Sequence, residues 1–330
     1  MAAPMIADPT IEEAVAVLTR GGLVAFPTET VYGLGADARN PDAIRKLYAA
    51  KGRPVDHPVI VHVADMHELA NWTRDMTATA HLLAQEFWPG PLTMILKRAP
   101  GVSDALTGGQ DTVGLRIPAH PIAHALLTKF GGGIAGPSAN RFGCVSATLA
   151  EHVRAEFGAA IDYVLDGGPS EVGIESTVVD VTGDSPVMLR PGHISVYDIE
   201  RATRKSLQAP DALSPRVSGG LAAHYAPATP LLLLEGDLLL ELATTLTQQG
   251  KRVAVLALDA RQPLLEHLTW KTAAAHASGY AHDLYANLRV LDRAGCDVIL
   301  VQRPPHEPAW AAINDRLTRA AAGARPAEPM

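Results

Sequence analysis

The first stretch of this chain equipped for chemistry is Pro27-Thr28-Glu29-Thr30-Val31-Tyr32-Gly33-Leu34-Gly35, directly after an apolar run at 23–26. Ligands of α/β proteins collect at the carboxyl ends of strands, and two hydroxyls beside glycines suit a small polar substrate. The plain alternative is a glycine-containing turn. No Gly-Lys-Ser/Thr follows and the Gly-x-Gly-x-x-Gly spacing is missing, so this is neither a Walker loop nor a dinucleotide fingerprint. Further along, Lys51-Gly52-Arg53-Pro54 sets two cations at a predicted helix end. They either complement the helix dipole or, with Gly52 bending the backbone between them, converge on phosphates. His62 closes the apolar run 59–63, where an imidazole is either a satisfied core group or a ligand contact.

A glycine-rich stretch, Gly131-Gly132-Gly133-Ile134-Ala135-Gly136-Pro137-Ser138-Ala139-Asn140, offers backbone N–H groups to an anion, with Ser138 and Asn140 adding side-chain partners. Arg116 interrupts the apolar Val113-Gly114-Leu115-Arg116-Ile117, and a buried arginine needs a carboxylate or a cleft. Ser176 opens the strand-like Thr177-Val178-Val179-Asp180, and Arg190 leaves another strand in Leu189-Arg190-Pro191-Gly192. His224-Tyr225-Ala226-Pro227 is aromatic for a spacer, so it is either a docking anchor or a lid.

These residues need a frame, and the apolar pattern supplies an α/β one. Helices are expected at 11–20 (Thr10 and Glu13 forming a capping box), 42–50, 66–72, 77–87, 122–129, 147–157 and 196–204. Strands are expected at 23–26, 59–63, 92–96, 112–117, 134–135, 163–165, 177–181 and 187–189. The last three lie too close together for helical crossovers, which makes the sheet mixed. The Pro-, Gly- and Ser-rich stretch 206–230 reads as a linker or lid between a domain at 1–205 and a smaller parallel β-α-β-α-β-α domain at 231–330.

At 330 residues with 47% apolar and 19% charged residues, the chain is long enough for two cores. Its net charge of −7 gives no support to tight nonspecific nucleic-acid binding. Two distant cysteines, Cys144 and Cys296, point to neither a disulfide framework nor a zinc site, and to a reducing cytoplasm. The N-terminal 1–8 does not read as a signal peptide, the tail 320–330 is expected to fray, and every apolar run is too short to span a membrane.

In their order, PTETVYGLG, KGRP, IVH, WPGPLT, VGLRIP, GPSAN, GIESTVVD, LRPG and HYAP resemble the YrdC-type threonylcarbamoyl-adenylate synthases over 21–227, and the remainder resembles the extra domain of the longer, two-domain members. The resemblance implies a YrdC-like α/β twist around a positively lined cavity, followed by a smaller Rossmann-like domain. It implies formation of L-threonylcarbamoyl-adenylate and pyrophosphate from L-threonine, bicarbonate and ATP with Mg2+, for a tRNA threonylcarbamoyl-transferase that modifies tRNAs reading ANN codons. By it, Thr28, Thr30, His62, Arg116 and Ser176 hold threonine. Lys51, Arg53, Ser138, Asn140, Ser146, Arg190, His224 and Tyr225 hold ATP; no metal-ligating side chain is identified. No covalent nucleophile is implied, and no general base is named. The chain departs from the family at Val217-Ser218-Gly219-Gly220, where many members have Ser-Pro-Gly-Met, and at His57, where a small polar residue is usual. The competing reading is a noncatalytic RNA-binding YrdC-like module, which strong, salt-sensitive RNA affinity would favour; for the synthase itself, weak RNA binding is a further partner expectation. A metalloenzyme maturation factor would add zinc-finger and acylphosphatase modules that two cysteines cannot support.

Overall fold

A computed structural model describes residues 9–323; the expectations for 1–8 and for the tail at 324–330 lie outside the described residues. The chain divides into two compact units, one made of Met1–Arg141, Ala147–Glu171 and Glu175–Gly220, the other of Phe142–Ser146, Val172–Ile174 and Leu221–Met330. Among the described residues no helix is long and apolar enough to cross a membrane.

The first unit holds strands β1 (Val24–Phe26), β2 (Gly33–Asp37), β3 (Ile60–His62), β4 (Leu92–Lys97), β5 (Thr112–Arg116), β6 (Ile134–Ala135), β7 (Tyr163–Val164), β8 (Thr177–Asp180) and β9 (Val187–Arg190). They form one mixed sheet in the order β7-β1-β2-β6-β3-β5-β4-β8-β9. Its helices are α1 (Pro9–Thr19), α2 (Pro41–Lys51), α3 (Ala78–Phe87), α4 (Asp104–Thr107), α5 (Pro121–Phe130), α6 (Ala150–Phe157) and α7 (Val196–Thr203). Alternate residues feed two cores: Ala25, Leu34 and Val61 join one apolar cluster, Val24, Phe26 and Ile134 the other. The expected helix at 66–72 is a 3-10 turn, Met66–Asn71, and α1 begins at Pro9, so Thr10 lies in its first turn instead of capping it.

β2 was expected to be loop, because Gly33 and Gly35 interrupt any apolar pattern. Close packing explains them. A Cβ on Gly33 would stand 2.9 Å from the Phe26 ring, and one on Gly35 would stand 2.9 Å from Ile134 and 3.0 Å from the Val24 carbonyl. Both glycines let β2 lie against its neighbours rather than loosen a ligand loop. The Gly131-Gly132-Gly133 turn is structural too: Gly131 ends α5 in the left-handed region, and Gly133 makes room for Trp72.

The second unit carries β10 (Leu231–Leu234), α8 (Gly236–Gln248), β11 (Val253–Ala257), β12 (Leu268–Thr272), α9 (Ala277–Asp292), β13 (Val298–Gln302) and α10 (Ala311–Ala322). Its sheet, ordered β10-β13-β11-β12, is parallel throughout, as expected for a small α/β domain. The extra strand, β12, escaped the sequence pattern because it is an edge strand whose residues are at most half-buried.

Candidate active site

The site is assembled by register. β3 and β5 run parallel with His62 opposite Arg116, which puts both side chains on the same face of the sheet. The β1–β2 connection brings Thr28, Glu29 and Thr30 to that place, and all five residues are at least nine-tenths buried.

Arg116 is the hub. Its Nε donates to the Gly90 carbonyl at 3.1 Å, its Nη1 donates to Thr30 Oγ1 at 2.8 Å, and its Nη2 lies 2.7 Å from Glu29 Oε1. The hydroxyls form a directed chain. Thr28 donates to the Val31 carbonyl at 2.6 Å, so in the 2.9 Å Thr28–Thr30 contact the proton belongs to Thr30, which in turn accepts from Arg116. Burial by itself would push the Glu29 carboxyl up, but the charge and hydrogen bonding of Arg116 hold it below its ordinary value.

His62 Nε2 faces the Gly136 carbonyl at 3.1 Å, and a carbonyl can only accept, so Nε2 carries the proton. Nδ1 is therefore a buried acceptor, with no hydrogen-bond partner among the described residues. Burial, and then the charge of Arg116, push the imidazole pKa down to about 3, so it is neutral. Gly136 has to be glycine here, since a Cβ would stand 2.6 Å from the His62 ring.

The adjacent cations are divided in their work. Asn40 and Pro41 start α2, and Gly52, at φ 63°, ends it, so Lys51 and Arg53 leave the helix in different directions. Lys51 Nζ donates to the carbonyls of Ser138 (2.5 Å) and Asn140, fixing the loop after β6. The same loop is zipped onto the first motif through Leu34 N to Pro137 O (2.8 Å) and Ala139 N to Tyr32 O (2.7 Å). Arg53 donates to the Pro58 carbonyl at 2.7 Å and reaches Ser218 Oγ at 3.4 Å. Arg190 holds Ser176 through its carbonyl (2.9 Å) and hydroxyl (3.1 Å) and donates to the Ser218 carbonyl at 2.7 Å. A bulge between Val178 and Val179, where β8 pairs β9, puts Arg190 in this register.

Ser218 thus sits on both guanidinium groups, and the segment around it is held down. Gln208 pairs with the edge of β9, and Arg216 donates to the Asp56 and Gly108 carbonyls. Beneath Arg216, Val217 and Ser218 lies a narrow slot of about 20 Å³ floored by Ile60, Ile95, Gly114 and Val178.

Ser146, His224 and Tyr225 belong to the second unit. Arg289 donates to the carbonyls of Val145 and Ser146, and Ala226 N donates to the Gly143 carbonyl at 2.8 Å. Tyr225, at φ 60°, is stacked on Tyr285 with ring centroids 5.8 Å apart, with the Arg316 guanidinium 5.2 Å over its ring. His224 packs edge-on against Tyr225 and Phe142. The HYAP segment is therefore anchored in its own unit.

Sequence reading missed two side chains. Glu29 stood inside the first motif, and its signal was a carboxylate between two threonines on a chain whose Arg116 needed a partner. Thr93, in WPGPLT, is fully buried and meets Ser176 Oγ at 2.8 Å.

A family model described as "Telomere recombination" (Sua5, YciO, YrdC) matches residues 16–192, and one described as "Threonylcarbamoyl-AMP synthase, C-terminal domain" matches 194–322. The threonylcarbamoyl-AMP synthase of Bacillus subtilis is 41% identical over 326 residues, which cover 96% of this chain and 94% of that protein. The chain belongs to the two-domain threonylcarbamoyl-AMP synthase family. The family member from Pyrococcus abyssi is 37% identical over 324 residues. The crystal structure of P. abyssi Sua5 complexed with L-threonine superposes on this chain with a TM-score of 0.88 at 35% identity, covering 95% of this chain and 94% of that one. A putative threonylcarbamoyl-AMP synthase of Mycobacterium tuberculosis is 42% identical over 189 residues, which cover 57% of this chain and 87% of that protein.

Proposed function

We propose that this chain is an L-threonylcarbamoyl-adenylate synthase, a nucleotidyltransferase that joins L-threonine, bicarbonate and ATP into L-threonylcarbamoyl-adenylate with release of pyrophosphate and water. The observation that carries the reading is the buried Arg116–Thr30–Thr28 chain beside a neutral His62, in a chain of this family. A guanidinium fork with hydroxyl and imidazole acceptors suits the carboxylate, hydroxyl and amine of threonine. Thr28, Thr30, His62, Arg116 and Ser176 make up this amino-acid side.

Lys51, Arg53, Ser138, Asn140 and Arg190 make up the nucleotide side in the first unit; Ser146, His224 and Tyr225, to which the family resemblance also gives ATP, lie in the second unit. These donors are cationic or neutral, so they fit phosphates, and Mg2+ would be held by phosphate oxygens. When bound, it supplies charge neutralisation. The protein's own part is orientation: the carbamate oxygen displaces pyrophosphate at the α-phosphorus while Arg53 and Arg190 stabilise the charge that develops. No side chain forms a covalent bond to substrate. Residues 1–205 would carry this chemistry, 206–230 would cover it, and 231–330 would be the extra domain. The product would feed a tRNA threonylcarbamoyl-transferase.

The test is mass-spectrometric detection of threonylcarbamoyl-adenylate together with pyrophosphate release. Both are expected only when threonine, bicarbonate and MgATP are all present. Equal pyrophosphate release without threonine, or salt-sensitive RNA binding with no adenylate, would overturn the reading in favour of a different or noncatalytic role.

A further inference from the structure

Glu29 is the carboxylate that meets Arg116, and the reaction as described gives it no task. It is 5% exposed, and Oε1 lies 2.7 Å from Arg116 Nη2. A carboxylate offers about four lone-pair positions, and Arg116 with the backbone N–H groups of Ala119 and of Glu29 itself takes up about three, which leaves about one for a ligand. Arg116 likewise keeps donors in reserve: of a guanidinium's roughly five N–H groups, the contacts to Gly90, Thr30 and Glu29 leave one on each terminal nitrogen, the fork that takes a carboxylate.

Charge decides what this pocket prefers. Arg116 alone would make it a cationic site, best matched by a simple carboxylate. With Glu29 beside it and His62 neutral, the pocket is neutral, and the ligand that complements a neutral pocket holding one cation and one anion is a zwitterion. Glu29 and His62 Nδ1 belong to the same cluster: the Glu29 charge favours protonation of the imidazole, the Arg116 charge opposes it, and Nδ1 has no hydrogen-bond partner among the described residues.

We propose that Glu29 receives the α-ammonium of the substrate, so that the pocket selects an amino acid over the same molecule lacking its amine. This rests on the threonine-site reading above. Threonine then docks with its carboxylate on the Arg116 fork and its ammonium between Glu29 and His62 Nδ1. Glu29 acts in binding and selection; its lowered pKa makes it a poor proton acceptor for the chemical step.

The test compares binding of L-threonine and of (R)-3-hydroxybutanoate, which is threonine without the amine, by titration calorimetry on the full chain. The wild-type protein is expected to prefer threonine. Glu29→Gln is expected to lower threonine affinity about 10- to 100-fold, the range for losing a charged hydrogen-bond partner, while leaving 3-hydroxybutanoate unchanged or tighter. Glu29→Asp, which keeps the charge but withdraws it by one methylene, is expected to fall between them. It carries the test if Glu29→Gln does not fold. Equal weakening of both ligands, which would mean that Glu29 only orients Arg116, overturns the proposal, as does an unchanged preference in either variant. Failure of the wild-type chain to bind threonine at all would overturn the functional reading, and Glu29's role with it. Wild-type threonine binding with an unaffected Glu29→Gln sinks the Glu29 proposal alone.

Discussion

Arg116 and Glu29 are worth more as a pair than either is alone. Truncating one member of a buried ion pair strands the other's charge, at a cost of about 3–5 kcal/mol. Arg116→Met should therefore lower the denaturation midpoint sharply, and adding Glu29→Gln should restore much of the loss; additive losses in this double-mutant cycle would show that the pair is not coupled. His62 makes a second prediction. It stays neutral in the fold with a pKa of about 3 against an ordinary 6.5, so the unfolded chain binds the extra proton between those values. Stability should fall as pH is lowered from 6.5 towards 3, by at most about 1.4 kcal/mol per pH unit for this one proton. The lowered pKa of Glu29 adds loss in the same direction, but only below its ordinary 4.5, and burial also lowers the pKa of His57 and His120, so between pH 4.5 and 6.5 the share of His62 is the difference in slope between the parent chain and His62→Gln. His62→Gln should flatten that part of the curve. At this scale His62 and Arg116 stood out in the sequence because polar groups broke apolar runs, and Thr28 and Thr30 because two hydroxyls beside glycines follow one. Glu29 did not, since its neighbour across space is 87 residues away and only the β3–β5 register shows where Arg116 points.

Among the elements, β2 tests whether close packing explains its glycines. Gly35→Ala would press a methyl against Ile134 and the Val24 carbonyl, and overpacking of this kind costs about 1–3 kcal/mol, measurable as a drop in thermal midpoint. An unchanged midpoint would mean that the strand has room to spare. The segment 206–220 offers another check. Arg216→Ala removes its bonds to the Asp56 and Gly108 carbonyls, so limited proteolysis near Ser218 should quicken relative to the parent chain. Long helices with clear caps, such as the one from Pro41 to Lys51, were legible from sequence within a residue or two. A glycine-bearing central strand and a half-buried edge strand were not, because neither shows the period-two apolar pattern that marks a strand.

For the whole molecule, the sum of charges proves a poor guide. The chain is net −7, yet Lys51, Arg53, Arg116 and Arg190 are all buried in the first unit, each bonded to backbone carbonyls. The second unit draws in two short pieces from the middle of the chain, and Arg289 fastens one of them through the carbonyls of Val145 and Ser146. Arg289→Ala should cost about 1–3 kcal/mol and speed amide exchange around 142–146. If Ser146 serves the nucleotide, the KM for ATP should rise while threonine binding holds, and a matching loss of threonine binding would argue against the division of labour proposed here.

That interleaving also sets a clock on the ribosome. Residues 142–146 and 172–174 emerge well before 221–323, the stretch with which they are grouped. At about 5–20 residues per second, the stretch from 174 to 323 takes roughly 7–30 s to make, during which the nascent chain holds these short pieces without all of their eventual neighbours. The second unit cannot reach its complete form until residue 323 has been made.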